Sequence, residues 1–505
     1  MNIYKPIQNN IRIKISLAII ILVGLAIRIF YSPFDLPLIV DSIDNFTYAT
    51  AINYYGHLPT EWTPINNGWP IFLSFWFSVI NLENTIEYMQ LQRSLAIVLS
   101  VLITIPVFFL CRKFFDDKIA LVGSALFIFD PRIILNSTTG ITEPLFILSS
   151  ITSLVIFLKY DRKWILLSFA LAACCTIVRS EGMFLFITLT ILFLMKYKVS
   201  SEILKTYVPS LIIFMLILIP IMDYRIEVAG YDGIFQRAAI GTGEIISMTN
   251  QEGGSDIFSG VELFVKYLGW IMIPTFLVFL PVGFILFFKN QRKDMYFVYV
   301  FLIVSSLPIL YAYIAQAQDT RYLYILYPIF ALISLFAVKA YISKISKKNL
   351  VLFLIILGIF VSSISFYEYK KIDFDKEREY NEIAMIVTTT VSGVNFHHLE
   401  APYIRAAQVP NEWPFDFPDE KYKIKIIQAE KYDNIEEYIS DSRKELTHLL
   451  VDDHSELPVF LKNVYKNEEN YEYLDKEFDS KKMGFNYEIK LFEIDYEKFD
   501  EIHRE

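Results

Sequence analysis

Seven side chains in this 505-residue chain join a type that can do chemistry to a suggestive place in the sequence: Asp41, Asp44, Glu143, Arg179, Glu181, Arg321 and Tyr322. A carboxylate can take up a proton or ligate a hard cation, and a guanidinium can hold an oxyanion through parallel hydrogen bonds. Asp44, Tyr48 and Ala51 fall at i, i+4 and i+7, on one face of a helix expected over 44–55. That places Asp44 near a helix N-terminus, where the dipole favours negative charge. Taken alone, Asp41 and Asp44 read as N-cap residues. Glu143 lies in Thr142-Glu143-Pro144-Leu145-Phe146, Arg179 and Glu181 belong to the turn Arg179-Ser180-Glu181-Gly182, and Asp319 and Arg321 precede Tyr322. All of them, with Arg28, border long apolar runs. An ionisable group at such a depth costs about 2–3 kcal/mol unless it is paired or solvated. Local pairs, such as Arg179 with Glu181, would meet that cost. So would a polar cavity shared by several segments, which is the pattern that acids and arginines at one depth suggest.

The elements that must position these groups are membrane-spanning helices. Hydrophobic residues make up 54% of the chain, above the usual range for a soluble protein even with a charged C-terminal part included in the average. The formal charge of −9 is uneven, because most of the acid follows Tyr369. An acidic terminal part argues against nucleic-acid binding. Apolar runs at 15–31, 91–110, 120–135, 142–158, 164–178, 183–195, 206–222, 264–288, 295–314, 322–338 and 350–367 predict about eleven crossings. The run 69–80 is too short and reads as an interfacial or re-entrant helix. The first run is long for a signal-peptide core and is read as a retained anchor.

Lysine and arginine cluster in every second connection, from Lys5, Arg12 and Lys14 through Arg112, Lys113 and Lys118 to Lys339, Lys344, Lys347 and Lys348. The connection 32–90 has neither. The positive-inside rule then puts the N-terminus in the cytoplasm and the C-terminal part outside. The expected organisation is a transmembrane domain over 1–368 and an extracytoplasmic domain over 369–505, in a multi-pass protein of the cell membrane. Cys111, Cys174 and Cys175 all lie in or beside apolar runs, so the outer domain has no disulfide to staple it.

Motifs on the outer side carry a family resemblance. Asp41-Ser42-Ile43-Asp44 runs into an Asp-x3-Tyr-x2-Ala helix, and Gly68-Trp69-Pro70 leads an apolar segment. Glu143 sits in a Thr-Glu-Pro-Leu-Phe string, and Arg179-Ser180-Glu181-Gly182 looks like an Arg-Pro-Glu-Gly turn. Arg321-Tyr322-Leu323 with Pro328 opens a late span. In order and sidedness this resembles the GT-C glycosyltransferase superfamily, in its protein-mannosyltransferase-like and aminoarabinose-transferase-like branch. The likeness covers roughly 15–367. The family often has adjacent acids, whereas two residues separate Asp41 from Asp44; the Tyr and Ala spacing favours Asp44. No Trp-Trp-Asp-Tyr-Gly string is present, which argues against the oligosaccharyltransferase branch.

The resemblance implies an α-helical polytopic fold with interfacial helices in the first outer loop. It implies transfer of a sugar from a polyprenyl-phosphate or -diphosphate carrier, dolichyl or undecaprenyl, to a protein, lipid or glycan acceptor at the outer face. Asp44 would be the general base, with Asp41 beside it, and direct displacement would invert the anomeric carbon. Arg179 and Arg321 would neutralise the phosphate, with Tyr322 next to them, and Glu143 and Glu181 would orient the arginines or sugar hydroxyls. Asp41 and Asp44 could also give oxygen ligands to Mg or Mn, with His57 read as solvated, so no metal is assigned.

The outer loop 223–261 holds Gly230, Gly233, Gly241, Gly243, Gly253 and Gly254, and its Gly-Thr-Gly is too short for a phosphate loop. The terminal part alternates apolar runs at 383–391, 423–427, 447–451 and 486–494 with amphipathic stretches at 435–446 and 458–465, which predicts a small α/β domain. Asp452-Asp453-His454 after one strand reads as a turn, and His397-His398 lacks zinc-site spacing. The sequons at Asn45 and Asn136 lie too close to the membrane to be expected to carry glycan. The main rival is a lipid or sugar transporter or flippase, which would concentrate polar groups at mid-membrane in broken, repeated helices. A scaffold that merely presents the outer domain would not explain the acids of the first loop.

Overall fold

A computed structural model describes residues 11–159, 164–197, 201–236, 254–290, 295–390, 431–452 and 457–503, with the single positions 403, 406, 407, 409 and 429. Gly241, Gly243, Gly253, His397, His398, Asp453, His454 and the run 423–427 lie outside them. By internal packing the chain forms two compact units. One comprises Met1–Ser32, Tyr55–Val79 and Leu91–Lys371, and the other Pro33–Tyr54, Ile80–Gln90 and Ile372–Glu505.

The first unit is a bundle of apolar helices: α1 (Ile11–Tyr31), α3 (Gly68–Val79), α4 (Thr85–Leu102), α5 (Thr104–Arg112), α6 (Asp117–Ile128), α7 (Pro131–Thr138), α8 (Glu143–Lys159), α9 (Ile165–Val178), α10 (Gly182–Tyr197) and α11 (Ser201–Ala229). It continues with α12 (Gly254–Met272), α13 (Leu280–Asn290), α14 (Tyr296–Ile314), a 3-10 turn (Arg321–Leu326), α15 (Tyr327–Ser343) and α16 (Lys348–Lys370). Between α1 and α3 the chain forms α2 (Asp41–Tyr55).

Among the described residues, six helices are long and apolar enough to cross a membrane, counting α4–α5 as one and the 3-10 turn with α15 as one; the pair α6–α7 makes a seventh. The shorter α8, α9 and α10 have 17, 14 and 16 residues, a rise of about 21–26 Å against a hydrocarbon core of about 30 Å. Each of the eleven apolar runs falls on one of these helices or helix pairs. The run 264–288 is not one helix, since α12 ends at Met272 and α13 begins at Leu280. The run 69–80 is the 12-residue α3, about 18 Å long.

The run 120–135 also departs from a plain span. Its helix stops at Ile128 and resumes at Pro131, bent by 53°. The sequence dictates the break: Pro131 takes the first helical position, where its missing N–H costs nothing. Asp130 caps the new helix by accepting from the N–H groups of Arg132 (3.0 Å) and Ile133 (3.3 Å). Both Asp130 and Arg28 are fully buried. Arg28 donates to Ser137 Oγ (3.1 Å) and to the Ile128 carbonyl (3.0 Å), which the break releases from the helix ladder. Ser363 Oγ donates to the carbonyl of Phe129.

The helix through α15 is central, with 78% of its apolar window buried, against 22% for α1 and α16. Gly283 shows how closely α13 presses on it, because a Cβ there would lie 2.5 Å from the Ile333 carbonyl oxygen. Small residues allow this approach where lipid supplies no hydrophobic drive between helices.

The second unit holds a three-stranded antiparallel sheet of β1 (His448–Asp452), β2 (Leu474–Asp479) and β3 (Ile489–Ile494), in the order β1-β3-β2. Alternation along the strands feeds two cores. Leu449, Val451, Phe492 and Ile494 pack with α18 (Ile435–Ser442), α19 (Val459–Lys466) and α20 (Tyr496–Ile502). Leu450, Ile489 and Leu491 pack with Tyr380, Ile383, Ala384 and Val387 of α17 (Phe374–Thr390), and Ile39 of the first loop joins that cluster. The apolar run 383–391 is therefore helical, not strand, over its described residues 383–390. Asp35 pairs with Arg378 at 2.5 Å.

Candidate active site

Three turns bring charged residues of the first unit into one cavity. Glu143 opens α8, with Pro144 behind it in the first turn, where a carboxylate suits the helix dipole. Arg179 follows the end of α9 in an extended conformation (φ −150°, ψ 133°), which ends the helix and sends its side chain away from the axis. Arg179 donates from Nη1 to the Glu143 carboxylate and from Nη2 to Glu181 Oε1 at 2.9 Å. Asp319 Oδ1 accepts from the backbone N–H of Arg321 (2.8 Å), and Asp319 Oδ2 lies 3.1 Å from Arg321 Nε. The Tyr322 ring stands between the two guanidiniums, 5.9 Å from that of Arg179 and 5.8 Å from that of Arg321, within cation–π range of both.

About 580 Å3 of empty space, some of it open solvent, lies in this cavity, and Glu143, Arg179, Glu181, Arg321 and Tyr322 all line it. Its remaining wall is largely apolar, from α8, α10 and α14, with Phe184, Leu185, Phe301 and Ile309 among the lining residues. Glu143 is the most enclosed of the charges, with 3% of its side chain exposed, against 13% for Arg179 and about 30% for Glu181 and Arg321. Arg179 is thus matched by two carboxylates, while Arg321 is matched by an exposed aspartate. Chemically this is a site with one buried and one accessible guanidinium above an apolar hollow.

Asp41 and Asp44 belong to the second unit. They occupy the first turn of α2, both half-buried, while Tyr48 and Ala51 on the same face are buried in the core. Val40, just before them, has φ +52°, a left-handed conformation that costs a β-branched residue of order 1–2 kcal/mol. Among the described residues no three His, Cys, Asp or Glu side chains gather as a metal-holding group. His57 is exposed and stacks on Tyr55 at 5.8 Å. The sequon asparagines are both buried, and Asn45 Nδ2 donates to the Asp41 carbonyl (2.5 Å).

Sequence reasoning passed over Gln92, Arg93, Asp130 and Arg225, all at most 3% exposed. The signal was present for three of them, since Gln92 and Arg93 open an apolar run and Asp130 interrupts another. A polar residue at such depth is a functional candidate by default. Arg225, at the end of α11, carried no local mark.

Residues 69–225 match the family model described as dolichyl-phosphate-mannose-protein mannosyltransferase. Compared by sequence with curated proteins, the chain has no match. Among solved structures it is similar to the oligosaccharyltransferase of Archaeoglobus fulgidus in the apo form, with TM-score 0.59 and 10% identity over 89% of this chain and 70% of that one. The same enzyme tethered to an acceptor peptide matches with TM-score 0.55 and 13% identity, over 95% and 74%. ArnT from Cupriavidus metallidurans, bound to undecaprenyl phosphate, matches with TM-score 0.54 and 6% identity over 94% and 97% of the two chains. At such identities the likeness is one of fold.

Proposed function

We propose that this chain is a multi-pass membrane glycosyltransferase of the GT-C type that moves a sugar from a polyprenyl-phosphate carrier to an acceptor hydroxyl at the extracytoplasmic face. The observation that carries the reading is the cavity in which two guanidiniums and two carboxylates from separate turns meet above an apolar hollow. Such a hollow suits a ligand that is anionic at one end and hydrocarbon at the other. The undecaprenyl phosphate on ArnT and the acceptor peptide on the oligosaccharyltransferase support a lipid-linked donor and a separate acceptor.

In this mechanism the acceptor oxygen attacks the anomeric carbon and the carrier phosphate leaves with the electrons of the glycosidic bond. Asp44 takes the acceptor proton, and Asp41 adds negative charge beside it. The two acids rest on the motif order and on their place in the first turn of α2. Arg321 meets the charge that grows on the phosphate, being the more exposed guanidinium. Arg179, held by Glu143 and Glu181, forms a fixed second contact next to Tyr322. A single displacement inverts the anomeric centre. Dolichyl and undecaprenyl carriers, hexose and pentose, and protein, lipid or glycan acceptors all fit this chemistry. The N-terminus lies in the cytoplasm and the C-terminal unit outside.

The test is incubation of the purified protein with radiolabelled polyprenyl-phosphate sugars, followed by extraction of the freed carrier. Asp44→Asn is expected to abolish release while the variant inserts and melts like wild type. Wild-type turnover in Asp44→Asn removes that residue as base, and absence of release from any labelled donor by wild type sinks the transferase reading. The break at Asp130 is a feature that favours a flippase. A flippase would carry the labelled lipid across a vesicle bilayer with its glycosidic bond intact.

A further inference from the structure

The cavity's two main charged turns are held by one short corner of chain that the proposed mechanism does not use. Asn66 Oδ1 accepts from the backbone N–H of Ser180 at 3.1 Å, directly beside Arg179. Gly68 lies against the same turn so closely that a Cβ would fall 2.6 Å from the backbone N and Cα of Val178. One residue on, Trp69 is fully buried and donates from Nε1 to the Gly140 carbonyl at 3.1 Å. Gln92 Nε2 donates to that same carbonyl at 2.8 Å, and Arg93 Nε donates to the Thr138 carbonyl at 2.9 Å. The turn clasped in this way leads into Glu143. Gly140 itself has φ +76°, a left-handed conformation that glycine adopts without the steric cost a Cβ would bring.

The corner is itself anchored from behind. Arg225, 3% exposed, holds Nη1 within 3.0 Å of the carbonyls of Pro64 and Ile65 and of Asn67 Oδ1. Tyr224 OH donates to the Pro59 carbonyl at 2.6 Å. A guanidinium sunk at the end of α11 and committed to backbone carbonyls fixes a loop; it is not poised to meet a ligand.

We propose that the Asn66–Trp69 corner is a positioning device that sets Arg179 and Glu143 in register, with Asn66, Trp69 and Gln92 as positioning residues and Arg225 as its anchor. The proposal rests on the reading of the cavity as the site of a lipid phosphate. Glu143 and Arg179 are 36 residues apart, one at the opening of α8 and the other just past the end of α9. An ångström of drift in either turn would part the carboxylate from the guanidinium. The corner ties both turns to one segment, and the Gly140 carbonyl is held twice, by Trp69 of the corner and by Gln92 of α4.

That double hold makes the test specific. Trp69→Phe keeps an aromatic ring, smaller than the indole, and loses the N–H, and Gln92→Met keeps the length and loses the amide. Each single variant leaves one donor on Gly140 and is expected to weaken binding of undecaprenyl phosphate or dolichyl phosphate at most threefold, measured on the full chain in nanodiscs. The double variant is expected to weaken it at least thirtyfold, with cryo-electron microscopy showing the 138–143 turn displaced and the bundle unchanged. Additive losses, or a turn that stays in place in the double variant, overturn the proposal. If the double variant does not fold, Asn66→Ala carries the test, with a three- to tenfold loss expected and wild-type binding overturning it. If wild type binds neither carrier phosphate, the functional reading falls, and the position of the turn in the double variant still decides whether the corner positions it.

Discussion

Replacing Arg179 with methionine should be the most damaging single change in the cavity. At 2.9 Å and an effective dielectric constant of about 20, the contact with Glu181 alone has a Coulomb energy of roughly 6 kcal/mol before desolvation is subtracted. Desolvation takes back most of that for an intact pair, so the pair itself adds little stability. The asymmetry appears when one partner goes, since an uncompensated charge left inside costs about 3–5 kcal/mol. Arg179→Met leaves two carboxylates, one of them only 3% exposed, and should reach that range. Glu143→Gln leaves Arg179 with Glu181 and should cost about 1–3 kcal/mol. Glu181→Gln removes a charge that is 30% exposed and should cost about 1 kcal/mol or less. The double variant Arg179→Met with Glu143→Gln buries no unpaired charge and should be more stable than Arg179→Met alone. Thermal unfolding of the purified proteins in one detergent at one scan rate gives the ranking, because large membrane proteins unfold irreversibly and only matched rates compare. Equal melting of the two glutamate variants, or a double variant no better than Arg179→Met, would refute the reasoning.

Two further outcomes are expected. Tyr322→Leu loses a ring that serves two guanidiniums at once and should cost about 1–3 kcal/mol in the same melt, while Tyr322→Phe keeps the ring and should stay near wild type. In the second unit, the hydrogen bond from Lys481, with another from Tyr465, holds Glu488 below its usual carboxylate range, and the Lys498 N–H does so for Asp495 at the cap of α20. A folded pKa below the unfolded one gives stability above about pH 4 that is lost as pH falls through the lower value. Melting of β3 and α20, followed by hydrogen exchange, should therefore worsen below about pH 4, and Lys481→Met should flatten the decline; a stability unchanged from pH 6 to 3 would contradict this.

Much of the bundle was legible because lipid imposes a crude rule, about 20 apolar residues per crossing, that composition alone reveals. The Arg179–Glu181 pair was legible too, since opposite charges two residues apart in one turn lie within reach of each other. The contact of Arg179 with Glu143 was not, because nothing periodic links positions 36 apart on different helices. The break at Asp130 was written in Asp130-Pro131, a cap and a first-turn proline, but hydropathy averaging over 120–135 hid it. Helix α17 misled for a different reason. Its C-terminal half is rich in β-branched Ile383, Ile386, Val387 and Thr388–Thr390, yet packing of Tyr380, Ile383 and Val387 at helical spacing against the sheet overrides that preference. Grouping of 33–54 and 80–90 with the terminal unit left no trace in the sequence either, since contacts such as Asp35 with Arg378 span 343 positions.

The interrupted third hydrophobic segment also bears on biogenesis. Its two orphaned carbonyls, at Ile128 and Phe129, are satisfied by Arg28 from α1 and by Ser363 from α16, the last helix of the bundle. An amide oxygen stranded in lipid is worth several kcal/mol of instability, and Ser363 is made 234 residues after the group it serves. A nascent chain leaving the translocon therefore carries a half-finished kink until its final helix arrives. Truncation ahead of Ser363 should leave that kink exposed to membrane quality control, however well the earlier helices have inserted.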